Sequence, residues 1–97
     1  MSRSLIERRL TEVHERLRRA REELAVLDEQ LAALTETAED ARLRALVSET
    51  PLADKEHREA QKHADAMLRS RAAVLAAIAE LERAQDELLD RLTLESR

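Results

Sequence analysis

The 97-residue chain contains no glycine, cysteine, phenylalanine, tyrosine or tryptophan, and a single proline. Each absence removes a class of chemistry. Without cysteine there is no disulfide frame, thiolate nucleophile or cysteine-ligated zinc. Without aromatic rings there is no platform on which bases or flat ligands stack. Without glycine there is no glycine-rich loop to cradle a phosphate, and no serine has a base and an orienting partner at a usable spacing. No apolar run approaches the roughly 18–20 residues needed to span a bilayer, and the opening stretch MSRSLIERRL is too charged for a signal peptide. The sequence therefore predicts a cytoplasmic chain that makes no membrane contact. A formal net charge of −4 argues against general affinity for nucleic acid or anionic lipid.

What remains is helix-forming. Leu, Ala, Glu and Arg dominate and 39% of residues are charged, a composition that points to long helices and coiled coils. From Ile6 onward apolar residues step by four and three without a miss: Ile6, Leu10, Val13, Leu17, Ala20, Leu24, Leu27, Leu31, Leu34, Ala38, Ala41, Ala45. This is a sustained a/d seam of a heptad repeat. It resumes as His57, Ala60, Ala64, Met67, Arg71, Val74, Ile78, Leu81, Gln85, Leu88, Leu92. Ser4 with Glu7 reads as a capping box opening the first helix. The interruption is Pro51, which pushes the residue before it out of the α region. Thr50 then suits an N-cap and Pro51 the first helical position, while Asp54 favours the positive end of the new helix. The sequence predicts helix 1 over about 4–48, a turn at about 49–51 and helix 2 over about 51–94. So short a connection folds the second helix back antiparallel. The segment TETAED, residues 35–40, has two threonines and an Asp that could imitate a cap, which would make three helices. The unbroken seam favours one continuous helix through it.

Pairing positions whose numbers sum to 101 or 102 matches the two seams layer by layer, from Ala45 with His57 to Leu10 with Leu92. Small residues meet near the turn and large ones toward the termini. Arms of some forty residues at about 1.5 Å each would make a rod roughly 60 Å long. Charge agrees with the pairing: residues 1–21 carry seven Arg against three Glu, and residues 80–97 carry six acids against three Arg. Flanking pairs such as Arg21 with Glu82 and Arg44 with Glu56 are expected to attract, whereas Arg9 opposite Arg91 does not. The arginines of residues 1–21 are spread around the helix among acids, which reads as a solvated face rather than a nucleic-acid contact.

The fold class expected is all-α, a long antiparallel two-helix coiled-coil hairpin. Its intramolecular seam is carried by Leu10, Leu17, Leu24, Leu27, Leu31, Leu34, Met67, Val74, Ile78, Leu81, Leu88 and Leu92. Helix 2 has more apolar surface than one partner helix can cover. Leu68, Leu75 and Leu89 fall at e positions beside the seam, and AAVLAAIA, residues 72–79, is apolar all round. Val26, Ala33, Leu68, Ala72, Leu75 and Ala79 are therefore expected to self-associate, giving a homodimeric four-helix bundle. The alternative is a monomer with surface alanines. Arg71 and Gln85 sit at core a positions, where polar groups set register or oligomeric state, and Arg71 can turn its guanidinium toward Asp28. Glu56, Glu59 and His63 share a helix side, but solvated helices place such groups together by chance. No metal, cofactor or enzymatic activity is expected.

The stretch PLADKEHREA, residues 51–60, resembles the tip of the N-terminal coiled coil of the bacterial Gre transcript-cleavage factors. That resemblance implies a hairpin whose tip enters RNA polymerase, with Asp54 matching the second metal-binding carboxylate of the family. Pro51 stands where the first acid belongs, and the spacing is one residue short. The chain also resembles small coiled-coil hairpin proteins of high-GC bacteria, which implies no activity. The sequence thus supports a non-enzymatic coiled-coil interaction or scaffold protein with an unknown protein partner. The alternative is a Gre-like transcription regulator acting through a tip made of Glu49, Asp54 and Glu56.

Overall fold

The computed structural model describes residues 1–96. They form two α-helices, α1 over Arg3–Ser48 and α2 over Pro51–Glu95, joined by Glu49 and Thr50. The fold is an all-α helical hairpin. Helix α1 runs through residues 35–40 without a break. There the Thr37 hydroxyl donates to the Ala33 carbonyl at 3.0 Å, so its polar atom is satisfied inside the helix instead of ending it.

The helix start differs from the expected capping box. Ser2, not Ser4, is the cap: its Oγ accepts from the Leu5 amide at 3.2 Å, and its carbonyl accepts from the Ile6 amide at 3.0 Å. The residue three positions after this cap is Leu5, so no acid can reach back to close a box. Glu7 instead takes the Arg3 guanidinium at 3.1 Å. The turn follows its expected logic. Glu49 adopts φ 51°, and its amide donates to the Ala45 carbonyl at 3.1 Å. This is the left-handed closure that ordinarily uses glycine. Thr50 then caps α2, its Oγ1 accepting from the Ala53 amide at 3.2 Å, with Pro51 at the first helical position.

Packing divides the chain into two compact units, Met1–Leu24 with Val74–Arg97, and Ala25–Ala73. The first is held by aliphatic side chains. Ile6, Val13, Leu17, Ile78 and Leu88 form its buried cluster, with Leu10, Ala20, Leu24, Val74, Leu81, Ala84 and Leu92 packed on it. Ile6 and Leu17 are sealed from solvent, and burying a side chain of that size stabilises the fold by about 1.5–3 kcal/mol.

The second unit, which contains the turn, is built differently. Its buried residues are all alanine: Ala38, Ala41, Ala45, Ala53 and Ala64. Ala53 extends the seam of α2 one step nearer the turn than His57 does. Leu27, Leu31, Leu34, His57, Ala60, Met67 and Arg71 of the same seam are half-buried. Arg71 reaches Asp28 with its Nε at 2.5 Å from Oδ1, which is the one ion pair between the helices among the described residues.

The flanking attractions expected between Arg21 and Glu82 and between Arg44 and Glu56 do not close into ion pairs. Long side chains on a helix find neighbours three or four residues away more readily than across to another helix. Arg18, for instance, holds Glu15 at 2.5 Å and Glu22 at 2.6 Å. That contact pulls the Glu15 carboxyl down to about 2, first through the Arg18 hydrogen bond, with Arg19 adding to it. Arg42 lowers Glu39 in the same way at 2.7 Å. No described helix is long and apolar enough to cross a membrane.

Candidate functional site

The hairpin tip lies within the Ala25–Ala73 unit, and its amphipathic order is inverted. In α1 the outward heptad positions b, c and f are mostly charged: f reads Arg8, Glu15, Glu22, Glu29, Glu36. In the last heptad all three turn aliphatic, as Leu43, Leu46 and Val47, while the inward positions Ala41 and Ala45 are small. The structure places these large side chains in water. Val47 is 86% exposed, Leu52 65% and Leu46 62%, with Leu43 about half exposed. Ordinarily the larger apolar residues fill the seam and the smaller ones line its edge. Here the buried positions are alanines, and the leucines and the valine fall at positions that face outward.

The acids expected at the tip belong to the same end of the hairpin. Glu49, Asp54 and Glu56 are all exposed, and none forms an ion pair among the described residues. Asp54 lies in the first turn of α2, where a carboxylate favours the helix dipole. Its amide donates to the Thr50 carbonyl at 3.1 Å. Lys55 meets Glu59 only at 3.9 Å. The tip thus exposes aliphatic side chains on both sides of the seam, Leu46 at b and Val47 and Leu52 at c, among charges of both signs that form no ion pair among the described residues, Glu49, Asp54 and Glu56 with Arg44 and Arg58. Reading the sequence for acids locates its carboxylates. The aliphatic side chains are legible too, but only when the outward heptad positions are compared from one heptad to the next.

The six residues expected to self-associate are all exposed, but they do not share one face. In an antiparallel pair, positions a, e and b of both helices lie on one side of the seam, and d, g and c on the other. Within the Ala25–Ala73 unit the Arg71–Asp28 pair marks the a/e/b side, and Leu68 and Ala72 belong to it. Val26 and Ala33 are c positions on the opposite side, where Ala33 lines an open groove with Gln30, Leu34, His63 and Met67. Leu75 and Ala79 occupy e and b positions of α2 in the other unit. One two-fold contact therefore cannot bury all six: within the Ala25–Ala73 unit, Val26 and Ala33 fall outside a contact made by Leu68 and Ala72.

The other unit carries its own groove on the d/g/c side, with Arg9, Arg16 and Arg91 around a floor of Val13 and Leu88 and with Glu12 and Glu87 among them. No group of three or more His, Cys, Asp or Glu side chains comes together to hold a metal among the described residues. No family model matches the chain, and neither a curated protein nor a solved structure matches it.

Proposed function

We propose that the protein is a non-enzymatic interaction module of the cytoplasm, a helical hairpin that forms a homodimer and engages a protein partner with its tip. The observation that carries this reading is the inverted tip, where Leu43, Leu46, Val47 and Leu52 are exposed over an all-alanine core. Their side chains contribute little to the hairpin itself, so the apolar area they hold becomes useful only when a second molecule covers it. The unpaired Glu49, Asp54 and Glu56 would set orientation at the rim of that contact and exclude acidic competitors.

The test is a double variant, Leu46→Asp with Val47→Asp, in the native cell and in isolation. The isolated variant should keep the helical signal and melt only slightly below the wild type, since two anions in the last turn of α1 oppose its dipole, while cross-linked complexes seen with the wild type disappear. Unchanged complexes would refute the tip as the contact. If the lost complexes contain RNA polymerase subunits, and Asp54→Ala with Glu56→Ala abolishes them as well, the transcription-regulator reading replaces the scaffold reading. Homodimerisation is tested separately by sedimentation equilibrium, where a wild-type monomer at high micromolar concentration would refute it.

A further inference from the structure

Resting on the homodimer proposed above, we infer that the second copy covers the a/e/b side of the Met1–Leu24 and Val74–Arg97 unit. Helix α1 of each copy then lies on α2 of the other, about a two-fold axis parallel to the helices. This side carries exposed aliphatic side chains that nothing within the unit covers, Leu75 and Leu89 on α2. Between them stand Glu82 and Asp86, both exposed and in no ion pair among the described residues. The α1 edge of the same side carries Arg21, likewise exposed and unpaired, and Arg18. The surface is therefore split along its length into an acidic, leucine-bearing half and a cationic half.

A two-fold axis along the helices keeps every residue at its own height and exchanges the halves. Leu24 is matched with Ile78 and Leu17 with Gln85 in the seam register, so Arg21 stands at the height of Glu82, and Arg18 a turn further on, near Asp86. In the pair of molecules each acidic half meets a cationic half, twice over. The guanidinium groups of Arg21 and Arg18 can then reach the carboxylates of Glu82 and Asp86, while Leu75 and Leu89 lie about a heptad to either side of that contact. The same operation on the d/g/c side would bring Arg16 level with Glu87 and Glu12 level with Arg91, but also Arg9 of one copy against Arg91 of the other, again twice, and like charges brought together oppose association. Only the a/e/b side offers opposite charges with no like pair at the same height.

The chain has no cysteine, so single-cysteine variants report contacts between copies alone. Arg21→Cys and Glu82→Cys, mixed under oxidising conditions, should yield a cross-linked dimer containing one of each. Neither variant alone should cross-link, and a mixture of Arg9→Cys with Arg91→Cys should not. Arg21→Glu should weaken dimerisation by about 3- to 30-fold, because each exposed pair is worth little and the two-fold doubles it. A wild type that sediments as a dimer, with cysteine variants that give only 82–82 or 9–91 cross-links, would overturn this arrangement and leave the homodimer standing. A monomeric wild type would remove the homodimer itself, and this arrangement with it.

Discussion

The alanine core under the tip can be tested by filling it. Ala41 is almost fully buried and lies in a unit whose buried residues are all alanine. Ala41→Leu adds three carbons, and their transfer from water would favour the fold by roughly 2–2.5 kcal/mol at about 0.8 kcal/mol per methylene if the seam had space. It has none if the alanines set the distance between the backbones, since a leucine must then force the helices apart or leave its rotamer. Overpacking of that kind costs about 1–3 kcal/mol net. The outward neighbour Val47 should respond with the opposite sign. Exposed as it is, Val47→Ala gives up almost no burial, and alanine is the better helix former by a few tenths of a kcal/mol. Urea unfolding followed by circular dichroism, at one fixed protein concentration because association shifts the midpoint, reads both changes directly. The reasoning predicts that truncating the outside is neutral or stabilising and that enlarging the inside is destabilising. A gain of 1 kcal/mol or more from Ala41→Leu would refute the close alanine seam, and a comparable loss from Val47→Ala would show that the tip aliphatics serve the hairpin instead of a partner.

Leu17→Ala, at a site sealed within the first unit's core, should cost about 2–5 kcal/mol in the same assay. Leu27→Ala, only half-buried, should cost distinctly less, and equal losses would contradict the burial pattern. Lowering the pH should weaken α1 through Glu15, whose folded pKa lies at about 2. A carboxylate with a depressed folded pKa adds stability that is present above its ordinary range, near pH 4.5, and lost as pH falls toward 2. The Glu15→Gln variant should therefore show a shallower loss of helical signal across that window, and an identical acid profile would refute the Arg18–Glu15 contact.

The fold was legible because two signals in the chain are unambiguous. A 3.5-residue period sustained from Ile6 to Ala45 admits only a coiled-coil helix, and one proline in a glycine-free chain marks the reversal. The start of α1 was less so, because Ser2 and Ser4 are both competent caps and only the geometry of Leu5 and Ile6 amides separates them. The flanking charges attract without closing into ion pairs, for an energetic reason. In water, exposed arginines gain about as much from Glu15 or Glu39 on their own helix as from a more distant strand of charge. The tip's aliphatic side chains escaped because periodicity rewards attention to the seam, where Ala41 and Ala45 look unremarkable, and not to Leu46 and Val47 outside it. Self-association is a property of two chains, and the sequence of one specifies it only as surplus apolar surface. The helix-level geometry was needed to show that Val26 and Ala33 face away from Leu68 and Ala72.

The turn is where the absence of glycine has a structural consequence. Closing α1 before Thr50 requires a left-handed residue, and Glu49 fills that place at φ 51°, a conformation that costs a residue with a side chain about 1–2 kcal/mol. Glu49→Gly would remove that penalty and forfeit about 0.4–1 kcal/mol through the freer unfolded chain, for a net gain between about 0 and 1.6 kcal/mol. Residues held in strained conformations cluster at contact sites, and the proposed tip contact would use the Glu49 side chain. Glu49 is exposed and forms no ion pair among the described residues, so its carboxylate is free for that contact. Glu49→Gly should then raise the melting temperature and at the same time weaken the complexes that Leu46→Asp with Val47→Asp abolishes. Thermal unfolding and cross-linking yield measured on the same variant separate the two effects. A variant that melts lower than the wild type would show that the left-handed glutamate carries no strain, and one that melts higher with complexes intact would remove Glu49 from the contact.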